Sequence, residues 1–216
     1  DSATLTLGEV TSGENAHPGQ TDRYAFTLGT DTWVAVDSRT NSGSFRWSLA
    51  GPRGTVTADR SFQGTDSVDG TSLYRLPAGD YTLSVTGVGG ATGSYALAVL
   101  DLANATPIAV GEAVNGTLNP ASATQLYRFE AQAGERYFFD RTASAGGDTY
   151  WRLLDPFGRT VWGPTSLGSD VESVTLPYDG TYTLLIEGRY YVGGTAAYAF
   201  RINPVADDSA TLTLGE

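Results

Sequence analysis

The sequence predicts an all-β protein, and three observations carry the prediction. Apolar residues alternate with polar ones at period two, turn formers separate the runs, and one set of motifs occurs twice about 100 residues apart. Thr4-Leu5-Thr6-Leu7 alternates first, then Tyr24-Ala25-Phe26-Thr27-Leu28 and Trp33-Val34-Ala35-Val36. Tyr81-Thr82-Leu83-Ser84-Val85 and Tyr95-Ala96-Leu97-Ala98-Val99 follow. Between the runs lie turn clusters such as HPGQTD, GPRG and VGGATG, drawing on 27 Gly and 9 Pro. No stretch of a dozen residues repeats at 3.6. Short strands with frequent turns point to a sandwich or a barrel.

The duplicated motifs divide the chain. Leu7-Gly8-Glu9 returns as Val110-Gly111-Glu112, and Tyr24-Ala25-Phe26 as Tyr127-Arg128-Phe129. Trp47-Ser48-Leu49-Ala50-Gly51-Pro52-Arg53-Gly54 returns as Trp151-Arg152-Leu153-Leu154-Asp155-Pro156-Phe157-Gly158. Leu76-Pro77-Ala78-Gly79-Asp80-Tyr81 returns with one insertion as Leu176 to Tyr182, and Tyr95-Ala96-Leu97 as Tyr198-Ala199-Phe200. Residues 1–101 and 102–206 are therefore expected to be two β-sandwiches of ordinary size, joined by short linkers that let them swing little.

A longer repeat encloses this one. DSATLTLGE occupies Asp1–Glu9 and again Asp208–Glu216, so the spacing is 207 residues. The expected reading is a window cut from a tandem array, with residues 207–216 opening the next repeat; a cloning or circular overlap is the alternative. With no Met, the window is expected not to include a native start. Ala210-Thr211-Leu212-Thr213-Leu214 is expected to be an assembly strand, ordered only where a following unit supplies its sheet, because a lone strand is unstable in water.

The motifs together resemble the bacterial pre-peptidase C-terminal domain, twice over and across nearly the whole chain. The resemblance rests on an L-x-x-G-x-x-x-x-G opening, a Y-x-F strand, an L-x-(D/G)-P-x-G hairpin, an L-P-x-G-x-Y strand start and a closing G-x-Y-x-L strand. It implies jelly-roll-like antiparallel sandwiches in a secreted or cell-surface protein, with collagen or polysaccharide binding in some members. Asp22 becomes Gln125 in the second copy, so an acidic ligand role there is not carried across. The second copy also closes on Ala197-Tyr198-Ala199-Phe200, without Gly directly before. Trp47 and Trp151 read as core anchors, Tyr81 and Tyr182 as tyrosine corners.

Composition and motifs then narrow function. The net charge is −11, from 24 acids against 13 basic residues that are all arginine, which disfavours nucleic acid and anionic membrane as partners. No apolar run reaches the roughly 18 residues of a membrane helix. The only histidine, His17, has no second His or Cys to work with, and no nucleophile elbow, P-loop or dinucleotide fingerprint occurs. No enzyme is expected. No cofactor is expected either, Ca2+ at Asp66-Ser67-Val68-Asp69-Gly70 or at Asp101, Asp207 and Asp208 being weighed against solvated turn acids.

One difference between the copies singles out a loop. Val88-Gly89-Gly90-Ala91 becomes Arg189-Tyr190-Tyr191-Val192-Gly193-Gly194, and Trp162 replaces Thr57. Arg189, Tyr190, Tyr191 and Trp162 are candidates for a ligand site or for sealing the contact between successive domains. Two functions follow as expectations. One is a non-catalytic structural repeat of an extracellular bacterial fibre or adhesin stalk, whose partners are other copies or neighbouring repeats. The other is a module accessory to a secreted enzyme that binds polysaccharide or matrix protein.

Overall fold

Alternation decides most strands. In residues 21–28 Asp22, Tyr24, Phe26 and Leu28 are buried, while Arg23, Ala25 and Thr27 face water. A computed structural model describes residues 2–65, 68 and 72–206. Its first nine strands are β1 (Ser2–Thr4), β2 (Val10–Asn15), β3 (Thr21–Leu28), β4 (Thr32–Ser38), β5 (Phe45–Gly51), β6 (Gly54–Ser61), β7 (Leu73–Leu76), β8 (Gly79–Gly87) and β9 (Gly93–Asp101). The second nine are β10 (Thr106–Pro107), β11 (Ala113–Leu118), β12 (Thr124–Ala131), β13 (Arg136–Ala145), β14 (Thr149–Leu154), β15 (Thr160–Ser166), β16 (Val171–Thr175), β17 (Gly180–Gly188) and β18 (Ala196–Pro204).

These form four sheets. The first two are ordered β1-β3-β8-β5-β6 and β2-β9-β4-β7; the second two repeat the arrangement as β10-β12-β17-β14-β15 and β11-β18-β13-β16. Leaving aside β1 and β10, which add in parallel at an edge, each pair of sheets is an antiparallel sandwich in jelly-roll order. Each sandwich closes over its own core. Trp47 and Trp151 are almost fully buried, one in each. The tyrosine corners are present: Tyr81 Oη donates to the Pro77 carbonyl at 2.6 Å, and Tyr182 Oη to the Tyr178 carbonyl at 2.9 Å. Both Pro-x-Gly hairpins turn on a glycine at positive φ, +96° at Gly54 and +74° at Gly158.

Where both faces of a strand are covered, alternation fails. β4 buries Val34 through Ser38 without a break, and β17 buries Tyr182 through Gly188. The second face of each is a seam between the sandwiches. Ala35, Ala98 and Leu100 of the first pack with Leu126, Leu154 and Leu185 of the second, with Trp33 and Leu73 at the margin. A sheet-on-sheet contact of this kind holds neighbours rigidly, where a short linker alone would only keep them close.

Polar groups cross the same seam. Asp37 takes a 2.7 Å ion pair from Arg39 and a 3.0 Å hydrogen bond from the Thr124 N–H of the second sandwich. Burial nonetheless pushes its carboxyl up to about 6, against the pull of Arg39 and Thr124. Arg152 pairs with Glu187 at 3.0 Å and donates to Ser72 Oγ at 3.4 Å. Buried ion pairs recover little beyond their desolvation cost, so the seam's stability rests on the apolar cluster.

The outward faces are built differently. Motif alignment puts Arg23, Ala50 and Ser84 of the first sandwich where the second has Leu126, Leu154 and Leu185. It puts Arg201 and Asn203 of the second where the first has Ala98 and Leu100. The apolar seam thus joins faces whose counterparts on the other sandwich lack those apolar residues.

Candidate functional site

Tyr150 stands at the start of β14 and Arg189-Tyr190-Tyr191 leaves the end of β17, two strands that pair with each other. Pairing Thr149 with Gly188 brings the two segments together. The Arg189 guanidinium lies 5.5 Å from the Tyr150 ring, 5.9 Å from Tyr190 and 5.4 Å from Tyr191. Each such contact contributes roughly 0.5–1 kcal/mol at the surface and more when desolvated. Tyr190 and Tyr191 meet edge to face at 5.2 Å. The Tyr191 hydroxyl donates to the Asp148 carboxylate, which raises the tyrosine's pKa.

The loop is therefore organised around its arginine. Arg189 is only 7% exposed and serves as a base for the rings, whereas Tyr191 is 47% exposed and presents an aromatic face. An exposed ring on a fixed support, with a carboxylate beside it, is suited to stacking against a sugar ring or an apolar side chain.

Sequence comparison placed Arg189, Tyr190 and Tyr191 together, and the structure brings them together. Trp162 goes elsewhere: it packs on Phe139 at 5.0 Å and Trp151 at 5.4 Å, at the edge of the second core. The apolar seam cluster contains none of Tyr190, Tyr191 and Trp162. Tyr150 and Asp148 were missed. The comparison that exposed the loop would have found them, since Tyr150 stands where the first copy has Arg46, and Asp148 where it has Ser44.

A second concavity of about 370 Å³ opens where the two sandwiches meet, lined by Trp33, Asp101, Arg128 and Asp155 among others. Three of its charged groups are engaged within the chain. Asp155 accepts from the N–H groups of Phe157 and Arg159 and from Arg159 Nε, Asp101 accepts from the Ala103 N–H, and Arg128 Nε donates to the Ala105 carbonyl.

Asp22 is likewise engaged from within. Tyr95 Oη donates to it at 2.6 Å and Gln20 Nε2 at 2.8 Å. Burial works against its charge, yet these bonds hold its carboxyl below the ordinary range. Because Tyr95 gives its proton to Asp22, the 2.7 Å contact between the Tyr24 and Tyr95 hydroxyls is donated by Tyr24. The second sandwich keeps the tyrosine pair, Tyr127 with Tyr198 at 2.7 Å, without the acid.

Among the described residues no three His, Cys, Asp or Glu side chains gather as a metal site. Asp66, Ser67, Asp69, Gly70, Asp207 and Asp208 lie outside the described residues, as does the strand Ala210–Leu214. His17 is exposed on the turn after β2, where its carbonyl accepts the Gln20 N–H at 3.1 Å. No helix among the described residues is long and apolar enough to cross a membrane.

Two broad comparisons, with protein-family models and with curated proteins, gave no match. Among solved structures the chain is similar to a periplasmic inhibitor of g-type lysozyme, PliG from Aeromonas hydrophila, at 15% identity and TM-score 0.34 over 46% of this chain and 96% of that one. It is also similar to the secreted serine protease VesC of Vibrio cholerae, at 13% identity and TM-score 0.30 over 94% of this chain and 49% of that one. A Parabacteroides distasonis protein named as a putative secreted protein matches at 10% identity and TM-score 0.23, over 88% of this chain and 87% of that one. Scores this low carry no argument about function. The fold itself defines the class: an all-β protein of β-sandwich architecture.

Proposed function

We propose that this chain is a non-catalytic structural repeat of an extracellular bacterial fibre or adhesin stalk, its sandwiches being pre-peptidase C-terminal-like domains that join head to tail. The observation that carries the reading is the nonapeptide repeated at a spacing of 207 residues. Its first copy is part of the first sandwich, with β1 on the edge of β3 and Leu5 in the core. Homogeneous repetition supplies length rather than a variety of sites. The apolar seam supports it too, since a stalk needs stiff units. Negative-stain imaging of a protein carrying several periods is expected to give extended filaments; globular particles would reject the stalk.

Binding is the second reading, favoured by the exposed Tyr191 on its Arg189 support. Repetition would then give avidity. Glycan and collagen pulldowns with the chain are expected to lose most retention in the Tyr190→Ala, Tyr191→Ala double variant. Equal and negligible retention by both proteins removes this reading.

A further inference from the structure

We infer that the edge of β3, together with the core position of Leu5, is a docking site for residues 208–216 of a second copy of this chain. The inference rests on the head-to-tail reading and names its joint. β1 holds the first sandwich by little. Ser2, Ala3 and Thr4 pair in parallel with Arg23, Tyr24 and Ala25, and all three are exposed. Leu5 alone is deeply buried, at 3% exposure, while Leu7 packs partly against the same core. Two backbone bonds complete the attachment: the Leu5 N–H donates to the Ala25 carbonyl and the Gly8 N–H to the Val99 carbonyl, both at 2.8 Å. Gly8 sits at φ +87°, a conformation that asks for glycine.

Every residue this attachment uses is repeated in 208–216. Leu212 corresponds to Leu5, Leu214 to Leu7 and Gly215 to Gly8, with Ser209, Ala210 and Thr211 for the ladder. The second sandwich shows how such a segment arrives. Thr106 and Pro107 add in parallel to β12, the Ile108 N–H donates to the Arg128 carbonyl at 2.9 Å, and the Gly111 N–H to the Ile202 carbonyl at 2.7 Å. In that case the segment runs directly on from the preceding sandwich. The second sandwich is therefore completed by the stretch that leads in from the unit before it. Addition of a strand to a free edge, with one side chain anchored in a pocket, is an established way for backbones to recognise each other. Where the incoming segment replaces the resident β1, repetition from copy to copy without closure propagates as a filament.

The test vacates the site in the full chain with Leu5→Asp and offers it labelled DSATLTLGE peptide. Saturable binding is expected, at least tenfold weaker for DSATDTLGE and for the unmodified chain, whose own β1 fills the site. Sedimentation of the Leu5→Asp chain should show concentration-dependent oligomers that Leu212→Asp abolishes. Should Leu5→Asp unfold the first sandwich, the peptide is expected to restore its β-sheet circular dichroism. Overturning results are a folded variant that ignores the peptide, an unfolded one that the peptide leaves unfolded, or oligomers that survive Leu212→Asp. Filaments from a multi-period protein without peptide binding would reject the donated strand alone; peptide binding with globular particles would reject the stalk alone.

Discussion

Leu185→Asp is expected to uncouple the two sandwiches while leaving each one folded. Leu185 is fully buried, but on the seam side of β17; its neighbours Leu184 and Ile186 are the ones that fill the second core. The substitution removes a leucine from the apolar cluster and places a carboxylate against Leu126 and Leu154, across the ladder from Arg152, which Glu187 already pairs. Losing the leucine costs about 2–3 kcal/mol of burial, and an unpaired charge raises the total to about 3–5 kcal/mol. For a unit of this size that lowers Tm by on the order of 10 °C. A single calorimetric transition in the parent should split in two, and limited proteolysis should begin to cut at residues 101–106. Ser84→Asp is the matched control. Ser84 holds the corresponding position on the half-buried outer face of the first sandwich, where a charge should change stability by less than about 0.5 kcal/mol. An unchanged single transition in Leu185→Asp, with the linker still resistant, would show that the seam does not couple the domains.

The contrast between Leu185 and Ser84 marks how far the sequence could be read. Strands buried on one face announced themselves, because Tyr81-Thr82-Leu83-Ser84-Val85 carries the period of a half-buried strand. Thr183-Leu184-Leu185-Ile186 has no period, and a run of that kind fits a two-sided strand or any other buried segment equally well. The seam was therefore invisible in one copy, though aligning the copies would have flagged three leucines standing where the other has Arg23, Ala50 and Ser84. The aromatic loop was legible for the same reason: Arg189-Tyr190-Tyr191 is an excess over its counterpart. Trp162 was an excess too, yet it fills core space beside Trp151, so a difference between copies locates a change without saying whether it faces water. Thr4–Leu7 read as one strand, whereas pairing ends at Thr4 and Leu5 turns inward. That shift needs the position of β3, which one-dimensional alternation does not contain.

Gly116→Ala should be among the costliest single-methyl additions in the second sandwich, and the reason explains a motif. The opening pattern ends on glycine in both copies, Gly13 and Gly116, and the closing strand supplies a tyrosine in both. The registers pair Gly13 with Tyr95 and Gly116 with Tyr198. A Cβ on Gly116 would lie 2.3 Å from both Cζ and Oη of Tyr198; on Gly13 it would lie 2.2 Å from Tyr24 Oη and 2.4 Å from Tyr95 Oη. The Tyr198 ring cannot yield cheaply, since it is 4% exposed, stacks on Phe200 and shares a 2.7 Å hydrogen bond with Tyr127. Overpacking of this kind costs about 1–3 kcal/mol, and breaking the buried hydroxyl pair adds about 1 kcal/mol or more. Urea unfolding of Gly116→Ala should show a loss of about 2–4 kcal/mol. Gly13→Ala should cost at least as much, because the displaced Tyr95 also abandons the Asp22 carboxylate. A double-mutant cycle separates the clash from a general preference against alanine. Tyr198→Leu destabilises by opening space, so combined with Gly116→Ala it should lose about 1–2 kcal/mol less than the sum of the two. Strict additivity would mean that the glycine is there for some reason other than the ring across from it.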